Sequence, residues 1–196
     1  LIKALEDAYF GSDYDITSML RVLFNSESFK NSRYAKVKNP AEMVVSTIRF
    51  VGDHQEIKPG LFEISQEPKY MGMDLMNPPT VEGWHTGHEW IDSGTLVERI
   101  NFASDYLGQT DLPGVKSLVD RLMSVSDSLS PKDLVDRCLD LVGQLQVTDA
   151  TYNELVSHAQ REGDLKHQSD SEKEVFIRRS GEMLQMIAAT SEYQFG

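Results

Sequence analysis

Cysteine is nearly absent from this 196-residue chain, where Cys138 stands alone. A single thiol closes no intramolecular disulfide, and a Cys-based zinc site needs more thiolates than one. Basic residues are also short: 19 Lys and Arg face 31 Asp and Glu, for a net charge of −12 at pH 7. Nucleic acid and anionic membrane surfaces both call for clustered cations, so neither is an expected partner. No apolar run approaches the roughly 20 residues that span a bilayer, so this segment is not expected to insert in one. Alternation of apolar and polar residues never persists, which argues against strands. Gly-rich phosphate loops, nucleophile elbows, Ser/Cys–His signatures and fixed-period repeats are missing as well.

Helical spacing of apolar residues is what the chain does have. Ile2, Leu5 and Tyr9 make a short first stripe, and Ile16, Met19, Leu20 and Leu23 a second, with Asp15 or Asp13 as its cap. Asn39-Pro40 pairs a capping side chain with proline at the first helical position, and Gly52 is the stop. Leu61 to Met76 reads as helical, broken or restarted at Pro68. Further helices follow with Leu96, Ile100, Ala103 and Leu107 inward, then from Pro113-Gly114, from Ser130-Pro131 with Asp133 closing a capping arrangement, and from Thr148. Residues 162–171 are polar and read as a mobile loop, and a last helix over about 172–190 puts Phe176, Met183, Leu184 and Ile187 on one face. Cys138 lies on such a face and reads as a buried small hydrophobe. The expected fold is all-α: one domain over 1–196, a multi-helix array of roughly eight helices, with a soft sub-boundary near 108–113.

The segment 77–94, NPPTVEGWHTGHEWIDSG, cannot be helical. Pro78 and Pro79 push the residues before them to extended geometry, and Gly83 and Gly87 permit turns. Yet it holds both tryptophans of the chain and two of its five histidines. A long Pro/Gly/Trp loop of this kind is ordered by its own side chains. Three readings stand side by side: a plug whose rings fill the core, a surface that binds a ligand or partner through Asn77, Pro79, Trp84, His85 and Trp90, and a catalytic loop in which His85 works with a carboxylate. No metal is expected. A zincin-type His-Glu-x-x-His needs both rings on one helical face at i and i+4, whereas His85 and His88 are three apart with Gly87 between them.

Four stretches carry a resemblance. Lys36-Val-Lys-Asn-Pro-Ala-Glu42, Met76-Asn-Pro-Pro-Thr-Val-Glu-Gly-Trp84, Trp90-Ile-Asp-Ser-Gly94 and Arg99-Ile-Asn-Phe-Ala103, with the tail Glu192-Tyr-Gln-Phe195, resemble the bacterial family catalogued as domain-of-unknown-function family 1800. The resemblance spans the whole chain, as the C-terminal portion of a longer member, and the chain opens at Leu1 already inside a helical pattern. It implies a helical protein, often exported, with a periplasmic or cell-surface role beside a co-encoded exported protein. A surface polymer is the other partner considered, and the cytoplasm the other compartment. It implies no reaction, no cofactor and no catalytic residue.

Arg49, Arg99 and Arg21 flank apolar stripes and, with Glu42, Glu82 and Glu98, are candidates for ion pairs that clamp the loop, Arg99 holding Glu82 or a loop carbonyl, since a guanidinium meets a carboxylate through two hydrogen bonds. Exposed helix charges of little energetic weight are the equal alternative. Met71, Met73 and Met76 read as core filler ahead of an adaptable binding surface. The functional expectation is a non-catalytic interaction module of an exported protein that uses the 77–94 loop. A hydrolase of cell-surface polymer, with His85 and a carboxylate as acid and base, and a purely structural domain remain the alternatives.

Overall fold

The computed structural model describes residues 1–196. The fold is all-α: ten helices and one two-residue strand pair. No helix is long and apolar enough to cross a membrane. The chain divides into two compact units, Leu1–Val37 with Phe195–Gly196, and Lys38–Gln194.

The first unit holds α1 (Ile2–Gly11), α2 (Ile16–Asn25) and the single turn α3 (Glu27–Lys30). Asp15, not Asp13, caps α2: its carboxylate accepts from the Thr17 and Ser18 amides. Asp13 and Tyr14 form the tight turn with positive φ, 57° and 68°. These helices contain no fully buried residue. The unit closes with an antiparallel bridge between Val37 and Phe195 and a hydrogen bond from the Gly196 amide to the Lys36 carbonyl, 2.8 Å.

The second unit carries the core. α4 (Pro40–Val51) opens on the expected Asn39-Pro40 signal, as a full capping box in which Asn39 and Glu42 exchange side-chain bonds for backbone N–H groups, and it ends at Gly52, φ 66°. The box satisfies the Asn39 and Glu42 amides, and Pro40 at the first helical position has no N–H to leave unpaired. α5 (Leu61–Tyr70) keeps Pro68 inside its last turn and is not broken there; it ends two residues later, ahead of Gly72 at φ 93°. Residues 71–76, expected to be helical, are therefore not. α6 (Ser93–Gly108) and α10 (Asp170–Ala188) form the most extensive helix pair, α4 packs on α6, and α8 (Pro131–Leu141) packs on α9 (Asp149–Gln160). α7 (Pro113–Met123) approaches the end of α4 so closely at Gly114 that a Cβ there would collide with the Phe50 carbonyl oxygen.

Ten helices stand where roughly eight were expected; α3, a single turn of four residues, is too short to leave a period. The strand pair, β1 (Ser128–Leu129) with β2 (Leu165–Lys166), also escaped the sequence pattern, since two residues show no alternation. It corrects the expectation of a mobile 162–171 loop: Leu165 is buried in the core. Phe176, Met183, Leu184 and Ile187 are buried as expected, as is Cys138, whose thiol is pushed up to about 12 by its burial.

Candidate functional site

Residues 71–92 run between α5 and α6. Met71 at one end and Trp90 near the other are both in the interior, with Trp90 only 5% exposed. The short 3-10 turn Gly87–Trp90 delivers that ring, and a second capping box, Thr86 with Glu89, starts the turn. Thr95 Oγ1 donates to the Trp90 carbonyl at 3.1 Å, tying the loop to the first turn of α6. Burial of an indole is worth several kcal/mol, so Trp90 is the anchor of the loop.

Trp84 has a different role. It is half-buried, and its Nε1–H donates to the backbone carbonyl of Asp74 at 3.3 Å. The Asp74 carboxylate receives Asn77 Nδ2 at 3.2 Å and Lys69 Nζ at 3.2 Å, and those two partners hold it below the usual carboxylate range. Asp74 is thus the hub of the loop. Sequence spacing did not single it out, because a residue that works through its carbonyl leaves no side-chain signature. Between Asn77 and Trp84, Thr80 and Gly83 close a tight turn, with the Gly83 amide donating to the Thr80 carbonyl at 3.1 Å and φ 105° at Gly83. Pro79 and Glu82 are exposed on this turn.

His85 stands with its ring edge-on to Trp90, centroids 6.1 Å apart. Its Nδ1 is 3.6 Å from Glu89, beyond hydrogen-bond reach, and both side chains are more than half exposed. Water has free access to this pair, so nothing sets it apart for acid–base chemistry. No group of three or more His, Cys, Asp or Glu side chains is placed to hold a metal ion.

The residues expected to clamp the loop lie elsewhere. Arg99 is fully buried, yet its partners are not carboxylates: Nε donates to Gln194 Oε1 at 2.8 Å and Nη2 to the Lys38 carbonyl at 2.7 Å. Its Nη1 and the Gln194 Nε2 have no partner. Lys38 is close by, its ammonium over the Tyr193 ring at 4.4 Å and donating to the Tyr193 carbonyl at 2.8 Å. Burial and then the charge of Arg99 lower its pKa to about 8, against an opposing pull from Glu42. Glu82 takes no part. Arg49 is exposed, and with Asn39, Glu42, Val45, Phe50 and Met73 it borders an open groove of about 810 Å³ along α4.

Arg99 therefore fastens the start of α4 and the tail around Gln194 to α6. Residues 38–42, 99–103 and 192–194 meet there, each part of a stretch that carried the family resemblance. The family model described as a protein of unknown function, DUF1800, matches residues 1–195. The chain belongs to that family. No curated protein and no solved structure matches it. In this DUF1800 chain the Arg99 fastening and the anchored 71–92 loop both lie within the matched residues.

Proposed function

We propose that this is a non-catalytic interaction module whose 77–94 loop engages another protein. What supports this reading is a contrast within the loop. Its ends are fixed by Met71 and Trp90, and Trp84 and Asp74 brace it. Between them Met76 is 93% exposed and Val81 is fully exposed, with Leu75 partly so. Met76 also sits at φ 64°, a region costly for a side chain with a Cβ, and backbone strain of this kind concentrates at functional positions. Apolar side chains held out by a rigid frame lose little further freedom on binding.

A stack on sugar rings fits less well, because Trp90 is buried and Trp84 is half-buried with its Nε1–H already bonded to the Asp74 carbonyl. Acid–base hydrolysis would rely on the exposed, loosely spaced His85 and Glu89. In this proposal the module works in the periplasm or at the cell surface beside a co-encoded exported protein, as the family resemblance implies.

A photo-crosslinking residue placed at Val81, in the native host, tests the reading. A discrete crosslinked band that is absent when the probe sits at exposed Lys116 supports it. No band at Val81, together with tryptophan emission that shifts saturably with soluble cell-wall fragments, overturns it in favour of a polymer ligand.

A further inference from the structure

The N-terminal hairpin presents a second surface. On α1, Ile2, Glu6 and Phe10 repeat at i, i+4, and on α2 so do Ile16, Leu20 and Phe24; positions at that spacing share one helical face. All five apolar members are exposed, from 36% at Leu20 to 75% at Ile2. Glu6, Ile2, Phe10 and Ile16 border an open groove of about 500 Å³ together with Leu5 and Met19. Tyr9, Phe10 and Tyr14 hold one another edge-on, with centroids 5.4–5.9 Å apart, so this apolar face is preorganised. Fewer than about 40 residues rarely bury a core of their own, and α1–α3 bury no residue fully.

Charge says what covers this face. Residues 1–15 hold Lys3 against Glu6, Asp7, Asp13 and Asp15, a net −3, while residues 16–37 hold Arg21, Lys30, Arg33 and Lys36 against Glu27, a net +3. The unit is neutral, and the whole −12 of the chain lies beyond it. Two such acidic chains repel through most of their surface, but not here. A twofold contact is self-complementary: what residue i meets on the second copy, the second copy's residue i meets on the first. Arg21 is the one charged residue of α2, and Glu6 is the carboxylate within the α1 stripe, so α1 of one copy offers a carboxylate where α2 of the other offers a guanidinium. Glu6, in the middle of the α1 stripe, makes no ion pair within the chain, and neither does Arg21 beside Leu20.

We infer that the apolar face of the α1–α2 hairpin is a self-association surface, packed twofold against the same hairpin of a second copy, with Glu6 of each copy opposite Arg21 of the other. The contact buries both i, i+4 stripes and pairs two carboxylates that would otherwise face an apolar surface unpaired.

Sedimentation velocity of the chain over roughly 1 to 100 µM reads this directly, since dimerisation is concentration-dependent. The expected result is a mass that climbs from 22.1 kDa toward twice that value. Phe10→Glu with Leu20→Glu abolishes the climb. Glu6→Arg and Arg21→Glu each weaken dimerisation about tenfold, because every dimer contains the pair twice. Mixed in equal amounts, these two single variants associate with each other as tightly as the unaltered chain, since each supplies the charge the other has lost. That rescue distinguishes an intermolecular pair from misfolding. A mass constant at 22.1 kDa, a dimer indifferent to the hairpin variants, or a mixture no tighter than the single variants each overturns the proposal.

Discussion

In residues 38–194 even an arginine is drawn fully out of solvent, whereas α1–α3 leave their phenylalanines and isoleucines in it. Both regions are amphipathic helices of similar length. The difference is one of partners. α4, α6, α7, α8 and α10 each find another helix for their apolar face, and the core runs unbroken from Met43 to Tyr193. Within their own unit, α1 packs on α2, and α2 also on the single turn of α3. Amphipathicity states that a face will be buried, not what buries it.

Substitutions in the large unit break this contrast first. Trp90→Ala removes the anchor of the loop and is expected to cost about 3–5 kcal/mol, read as a shift of the urea midpoint. The equivalent truncation in the hairpin, Phe24→Ala, costs under about 1 kcal/mol in the monomer, because that ring is already half in water. Equal losses at the two sites would erase the distinction. Next in size is Arg99→Ala, at about 3 kcal/mol. It leaves Gln194 Oε1 and the Lys38 carbonyl unpaired in the interior. Arg99→Met, which retains the volume without adding a new unpaired donor, costs less than the alanine.

pH sharpens the comparison further. The folded-state pKa of Lys38 is about 8, below its ordinary 10.5. Between those values the unfolded chain holds a proton that the folded chain has released, so stability rises as pH goes from 8 to 10.5. The gain is about 1–2 kcal/mol after allowance for partial solvent access. The difference between the chain and Lys38→Gln, followed by thermal melts across that range, isolates it; a flat difference refutes it. Glu192 has the same sign at the acid end of the scale, for the opposite reason: folding favours its charged form. Hydrogen bonds from the Thr148 amide and the Thr151 hydroxyl, both 2.9 Å, overcome its burial and hold its pKa at about 2. Its stabilisation, about 1 kcal/mol at this partly exposed site, is complete above pH 4.5 and is lost as pH falls toward 2. Glu192→Gln matches the unaltered chain only at the acid end of that window. The smallest effect is expected at the loop tip: Val81→Ser changes stability by under about 0.5 kcal/mol and acts on partner capture alone.

Much of the fold was legible along the chain because helix signals are local. Asn39-Pro40 with Glu42, Ser130-Pro131 and Thr148 announce their helices within four residues, and period-3.6 stripes identify the inward faces of α4, α8 and α10. The exclusions were also local: a lone Cys138, a net charge of −12 and no long apolar run follow from counting. The loop was found as well, since Pro78-Pro79 followed by Gly83 and Gly87 disfavours a continuous α-helix through the segment.

Tertiary structure alone decided how the rings of that loop are divided. Trp84 and Trp90 are six residues apart and alike in chemistry, yet one is the anchor and the other a brace, because only Trp90 reaches the core from its 3-10 turn. It decided the partners of Arg99 too. Sequence chemistry favours a carboxylate, with Glu82 the expected partner, but the fold places a glutamine 95 residues away and a main-chain carbonyl there instead. Hydrogen-bond partners across such separations depend on how helices dock, and docking is governed by side-chain volume and packing across the whole core rather than by any short run of residues.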